Sequence, residues 1–305
     1  MNKHLPKPRQ HILLRYQQFL HEVAGFSPST NKNHSRDITH FLRAASIQKI
    51  ADLGKLTPVD LTRYLTKRST AYQPRSLRQV ASSLRRFLQF AQQQGWTASP
   101  LSLAVPSIAC PIKIDLPTHL SREQLRLLLA SWDRRTAQGR RDFAIGLCLA
   151  RLGMRAGEVA ALQLEDLDWR QGFLRINQAK NGRAGELPLL TEVGESIAKY
   201  LRTGRPVCSH RQVFLFHQPV RPMTGQSVSY VIRRALHRCA IQVPHPGAHL
   251  LRHTIASHLV QNGASLKEVA DLLRHRHLNS AAVYAHLDLV QLRTVAQPWP
   301  KEASL

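Results

Sequence analysis

The sequence predicts a mainly α-helical protein of two domains, with a small antiparallel β-sheet in the second. Three observations carry that expectation. The chain has 305 residues, about twice the usual single-domain length, so two separate cores are expected. Most apolar residues recur at helical spacing, as in "SLRQVASSLRRFLQFAQQQ" at 76 to 94, where a period of about 3.6 puts them on one face. Short β-type runs occur at residues 173 to 177 and 186 to 190, flanking a stretch rich in Gly, Asn and basic side chains; such a pair reads as a hairpin or meander.

Taken in order, residues 8 to 100 read as an all-helical, basic first domain. Helical patterns lie around 11 to 24 and 28 to 44, and in "LTPVDLTRYLTKR" Thr57 is placed to cap a helix whose first position is proline. In the helix at 76 to 94, Val80, Leu84, Phe87, Leu88 and Ala91 fall on one side and Arg75, Arg78, Ser82, Arg85 and Arg86 on the other. That arginine face has no interleaved Asp or Glu to form i,i+4 pairs. That absence favours phosphate contact and makes Arg75, Arg78, Arg85 and Arg86 the candidate phosphate-contacting residues. Gly95 ends the helix, and residues 101 to 119, rich in proline and poor in periodic apolar positions, read as a linker.

The second domain is expected over 120 to 298. Ser121 and Gln124 have the spacing of a capping box, and "DFAIGLCLARLGM" is apolar nearly all round, as a central core helix should be. Arg155 sits just after Gly153 and just before a helical pattern carrying Val159, Ala160 and Leu162. A guanidinium there can join the backbone N–H groups of a helix start in holding an anion. In "HLLRHTIASHLVQNG", His249, Arg252 and His253 share one face while Leu251, Ile255 and Leu259 form the stripe expected to be buried, so the polar face is expected to meet a cleft or solvent. The His249/His253 pair has the i,i+4 spacing of a metal site, but it lacks the glutamate of H-E-x-x-H and an obvious third ligand. No metal is expected.

Ser265 and Glu268 make a second capping box, for a helix that delivers His275 at its end, and Asn279 or Ser280 can cap a short helix bearing Tyr284. Lys180 lies in the turn "QAKNGRAG" between the two β-type runs. Taken singly, Lys180 reads as a solvated lysine and Tyr284 as a core tyrosine with a capped hydroxyl.

Charge narrows the partner. The formal net charge is +24, with 16 Lys and Arg against 4 Asp and Glu in residues 1 to 110, and 27 against 15 in the remainder. A balance so basic along the whole chain points to a polyanion, and nucleic acid is the natural one. No apolar stretch approaches the roughly twenty residues of a membrane span, and the start "MNKHLPKPRQ" lacks a signal peptide's apolar segment. A cytoplasmic, nucleoid-associated protein without membrane contact is expected. Cys110, Cys148, Cys208 and Cys239 are far apart and read as reduced, mostly buried thiols.

The whole set resembles the tyrosine recombinases, or phage-type integrases, in their two-domain Xer-like form. That family carries Arg, Lys, His-x-x-Arg, His or Trp, and Tyr in this chain order. Its G-x-R-x-x-E is matched by Gly153, Arg155 and Glu158, its H-x-L-R-H by "HLLRH" from His249 to His253, and its L-G-H by "LRH" with His275, nine positions before Tyr284. The segments "SPSTNKNHSRDITHFL" and "LTPVDLTRYL" look like the family's helical core-binding domain, and the resemblance spans roughly 10 to 290. Two departures stand out: Arg274 where the family usually has glycine, and "KNGRAGELP" after Lys180 in place of K-x-x-K-x-R-x-x-P.

The resemblance implies two domains closing on double-stranded DNA as a C-shaped clamp, and cleavage through a 3′-phosphotyrosyl link to Tyr284. It gives Arg155, Arg252 and His275 to the scissile phosphate, His249 to proton transfer, and Lys180 to the general acid. It implies homo-oligomers, a tetramer in the synapse, an accessory or partner recombinase in some systems, and a tail after Tyr284 that docks on a neighbouring protomer or on its own domain. The chemistry fits those residue types. A phenol of ordinary pKa about 10 needs a cationic surrounding and a proton acceptor, and guanidiniums hold the developing phosphate charge bidentately. With charge so supplied and bond energy kept in the ester, neither cofactor nor metal is expected. The alternatives are a nicking-closing topoisomerase, which shares the Arg, Lys, Arg, His, Tyr set, and an inactive DNA-binding or architectural protein of the same fold. The basic helical first domain favours the recombinase over the former, and the complete residue set favours it over the latter.

Overall fold

A computed structural model describes residues 7 to 97, 99 to 110, 118 to 177, 185 to 274, and Tyr284. The chain divides into two compact units, Met1–Lys113 and Ile114–Leu305.

The first unit is helical: α1 Lys7–Glu22, α2 Pro28–Ala44, the single turn α3 Ile50–Leu53, α4 Pro58–Ser69 and α5 Pro74–Gln93. Thr57 caps α4, its hydroxyl accepting from the Asp60 N–H while the Asp60 carboxylate accepts from the Thr57 N–H, with Pro58 at the first helical position. The apolar face of α5 is buried as its spacing predicts, with Val80, Leu84, Phe87, Leu88 and Ala91 all inside. Each such side chain contributes about 1.5–3 kcal/mol for the larger residues. They pack on Ile12, Leu13, Tyr16 and Leu20 of α1 and on Ile38, Phe41 and Leu42 of α2. Leu101 and Val105, inside the stretch expected to be linker, are buried in this same core. A 3₁₀ turn at Leu101–Ala104 brings them there.

The second unit is built around α7 Ala137–Arg151, whose residues Ala144 to Ala150 are all buried, as an all-round apolar helix requires. Before it comes α6 Arg122–Ala130 with the Ser121–Gln124 capping box, and after it the short α8 Ala156–Ala161. The predicted hairpin is β2 Phe173–Ile176 against β3 Gly185–Pro188, antiparallel with Phe173 opposite Pro188 and Ile176 opposite Gly185. A two-residue β1, Leu167–Asp168, adds a third strand on the β2 side. α9 Thr191–Thr203 packs on α7, the hairpin of β4 Leu215–His217 and β5 Val220–Pro222 follows, and α10 Gly225–Arg238 leads to α11 Ala248–Gln261 and α12 Leu266–Leu272.

Two expectations change. The thiols are not mostly buried: Cys148 is, while Cys110, Cys208 and Cys239 are half-exposed. And the faces of α11 fall otherwise than expected: Arg252, Thr254 and Ser257 are buried along with Leu250 and Leu251, while Ile255 and Leu259, expected inside, are half-buried. Among the described residues, no helix is long and apolar enough to cross a membrane.

Candidate active site

Gly153 follows α7 with φ +58°, and a Cβ on it would stand 2.7 Å from Leu273 Cδ2. Glycine is needed there both for the left-handed turn and for room. The turn sets Arg155 as the N-cap residue of α8. Glu158, buried, accepts from the Arg155 backbone N–H at 2.8 Å and from Arg155 Nη1 at 2.8 Å. The helix start that the sequence left open for an external anion thus already holds a carboxylate. A second cation meets that carboxylate from α12's end, with Arg274 Nη2 at 2.6 Å from Glu158 Oε2.

Arg252 is buried within α11, not turned to a cleft. Its Nη1 donates to the carbonyl of Gly153 and its Nη2 to that of Leu273. Those carbonyls replace the water the guanidinium loses, and charge-assisted bonds of this kind are what allow a buried cation. Burial first, then the nearby Arg155 charge, push its pKa down to about 10 while Glu158 pulls it up. It is still a cation at neutral pH.

Tyr284 is 1% exposed. It packs with Ala256, Val260, Val269, Ala270 and Leu273 of α11 and the α12 end, and its hydroxyl lies 2.7 Å from His253 Nδ1. In the tautomer with the proton on Nε2, the phenol donates to Nδ1. The His253 ring stands 4.6 Å, centroid to centroid, from that of His249. Burial pushes the Tyr284 phenol up to about 12, and the Arg252 charge acts the other way.

The fold therefore brings together a buried Arg252 and Tyr284 and a half-buried Arg155, with His249 reached through His253. The sequence reading gave His253 no contact with the phenol, although its place beside Arg252 and four residues after His249 was the available signal. Glu158, matched as the last residue of G-x-R-x-x-E and expected to orient an arginine, does hold Arg155, whereas Arg274 was noted only as a departure from glycine. Lys180 and His275 lie outside the described residues, as do Asn279, Ser280 and the tail after Tyr284. A cleft of about 1380 Å³ bounded by the start of α7, the β4–β5 hairpin and α10 holds none of these residues.

The arginines of α5 divide in two. Arg85 donates from Nη2 to the Pro106 carbonyl at 2.8 Å and from Nε to that of Val105 at 3.3 Å, and Arg78 Nε donates to the Ile108 carbonyl at 3.2 Å. These two hold the chain that follows α5. Arg86 lies over the Phe26 ring at 5.5 Å, and Arg75 is exposed.

Comparison with known proteins agrees with this architecture. Residues 118–289 match the Phage integrase family, and residues 13–95 match its N-terminal SAM-like domain. The chain belongs to the phage integrase family and is a tyrosine recombinase. It is 38% identical over 98% of its length to y4rA of Sinorhizobium fredii, named as an integrase/recombinase, and covers 73% of that protein. Tyrosine recombinase XerD of Listeria monocytogenes is 28% identical, over 92% of this chain and 96% of its own. Among solved structures, a lambda integrase dimer (residues 75-356) bound to a COC′ core site shares the fold with a TM-score of 0.69, at 18% identity over 96% of this chain and 98% of that one.

Proposed function

We propose that this recombinase cleaves and rejoins DNA at a defined site through Tyr284, with transient attachment of the chain to a 3′-phosphate. The observation that carries the reading is the 2.7 Å contact between the Tyr284 hydroxyl and His253 Nδ1, beside a buried Arg252. A phenol, a proton acceptor and a fixed cation are the parts a phenolic nucleophile requires. The phenolic oxygen attacks phosphorus, its proton passes to His253, against which His249 sits edge-on, and the bond to the 5′ oxygen breaks. Arg155 holds the nonbridging oxygens together with His275, Arg252 adds its charge from its buried position, and Lys180 protonates the departing 5′ oxygen. The ester retains the bond energy, so a 5′-hydroxyl of another strand reverses the step without ATP, and the guanidiniums supply the charge that a metal ion supplies elsewhere.

On this reading the partner is double-stranded DNA, bound by subunits that pair and form a tetramer in the synapse, and the protein works in the cytoplasm on integration, excision or resolution of mobile DNA. The lambda integrase dimer on its core site supports DNA as partner and more than one subunit. At 1% exposure Tyr284 is covered, so on this reading the cover over the phenol opens when DNA binds while the hydroxyl keeps its contact with His253.

The test uses nicked suicide duplexes tiled across the DNA flanking the protein's own gene, read on denaturing gels. An adduct formed by the wild type and absent with Tyr284→Phe is the expected result. Specific binding with no adduct from either protein would transfer the chain to the architectural reading.

A further inference from the structure

We infer that Arg274 is a positioning residue for strand cleavage, acting through Glu158 to hold the phosphate-binding guanidinium of Arg155. The inference rests on the reading of Arg155 and Tyr284 given above. The turn that ends α12 holds both arginines of the site. The Leu273 carbonyl accepts from Arg252 Nη2, and the neighbouring Arg274 side chain meets Glu158 Oε2 at 2.6 Å. Glu158 in turn takes the backbone N–H and Nη1 of Arg155, each at 2.8 Å. One dipeptide, immediately before His275, therefore sets the register of both guanidiniums.

Folding alone gives little reason to keep arginine at 274. Its φ is +50°, in the left-handed region that glycine adopts freely. Its Nε and Nη1 are buried and meet no hydrogen-bond partner among the described residues, a cost that a smaller residue would avoid. The neighbouring backbone also makes room for it, since a Cβ on Gly185 would sit 3.1 Å from Arg274 Cδ. A side chain at positive φ, with two nitrogens unpartnered among the described residues, that nonetheless grips a buried carboxylate points to a role in the site. Without Arg274, Glu158 keeps both its bonds to Arg155 but is free to swing with it. A guanidinium displaced by an ångström costs on the order of a hundredfold in rate.

The experiment compares wild type, Arg274→Gly and Arg274→Lys on the same nicked duplexes, measuring thermal midpoint, binding affinity and single-turnover adduct formation. Arg274→Gly is expected to melt no lower than wild type, to bind within about twofold, and to form adduct roughly 10- to 100-fold more slowly. Arg274→Lys is expected to recover part of that rate. Adding Glu158→Gln to Arg274→Gly is expected to cost less than Glu158→Gln alone, because the two act on one linkage. An Arg274→Gly protein with wild-type adduct rate, losses of binding and cleavage in parallel with the melting point, no recovery in Arg274→Lys, or fully additive losses would each overturn the inference. A wild type that binds its site and forms no adduct would remove the recombinase reading and this one together, whereas a wild-type adduct unaffected by Arg274→Gly would remove this one alone.

Discussion

At the residue scale, Tyr284 combines a nucleophile's place with a core residue's environment. Its phenol is held at about 12 against an ordinary 10.0 by burial. The sign follows: the folded form keeps the proton more tightly than the unfolded form, so the stabilisation is complete below pH 10 and is lost as pH rises toward 12. Its size is about 2–3 kcal/mol. The difference in ultraviolet absorbance between wild type and Tyr284→Phe should therefore show the missing phenol ionising near pH 12; ionisation near 10 would mean that the side chain is solvated in solution. The sequence made the chemical type of Tyr284, Arg155 and Arg252 legible through motif and spacing. It did not make the depth of Arg252 legible, because that arginine's partners are carbonyls 99 and 21 positions away, and main-chain acceptors leave no mark on composition.

At the element scale, helices whose caps are written in side chains were the most readable. Ser121 and Ser265 each cap a helix through the predicted reciprocal bond, Thr57 caps one as predicted with a reciprocal bond to Asp60 besides, and α2 runs over 28 to 44 as its periodicity predicts. The strands β1, β4 and β5, of two or three residues each, are too short to show a period of two. Glycines inside helices were equally silent in the sequence, yet they differ sharply in space. A Cβ on Gly139, in the first turn of α7, would fall 1.9 Å from the Asp133 carbonyl oxygen, whereas one on Gly157 in α8 meets nothing within 4 Å. Gly139→Ala should then destabilise the fold by on the order of 3 kcal/mol. Gly157→Ala should stabilise it by about 0.5–1 kcal/mol. Urea unfolding curves for the two variants check both signs, and equal midpoints would contradict the packing described for α7.

At the scale of the whole molecule, the charge of +24 was the most direct statement the sequence made about a partner, and the division into two units was legible in length and in the proline-bearing stretch that interrupts periodicity. The boundary was less so, because Leu101 and Val105 look like isolated apolar residues until α5 supplies the surface they cover. The charge predicts DNA affinity that falls steeply with salt, with a log–log slope of about −5 or steeper. Arg75→Ala should reduce that slope by about one and leave stability unchanged, whereas Arg85→Ala should lower the stability of the first unit through its lost bonds to Val105 and Pro106. Binding isotherms over a range of salt, paired with melting curves, separate these outcomes, and an Arg75→Ala slope equal to wild type would take Arg75 out of the DNA interface.

The hold on Arg252 has a genetic consequence. Its two acceptors, the carbonyls of Gly153 and Leu273, belong to the main chain, and a missense mutation cannot delete a carbonyl. The support of this arginine is thus tolerant of side-chain drift at position 273 for any apolar residue that fits. Position 153 is less tolerant, because every other residue would have to hold φ +58° and displace the tip of the Leu273 side chain. In a saturation library selected for recombination, the codon for Gly153 should therefore vary far less than that for Leu273, although glycine contributes no group to the chemistry.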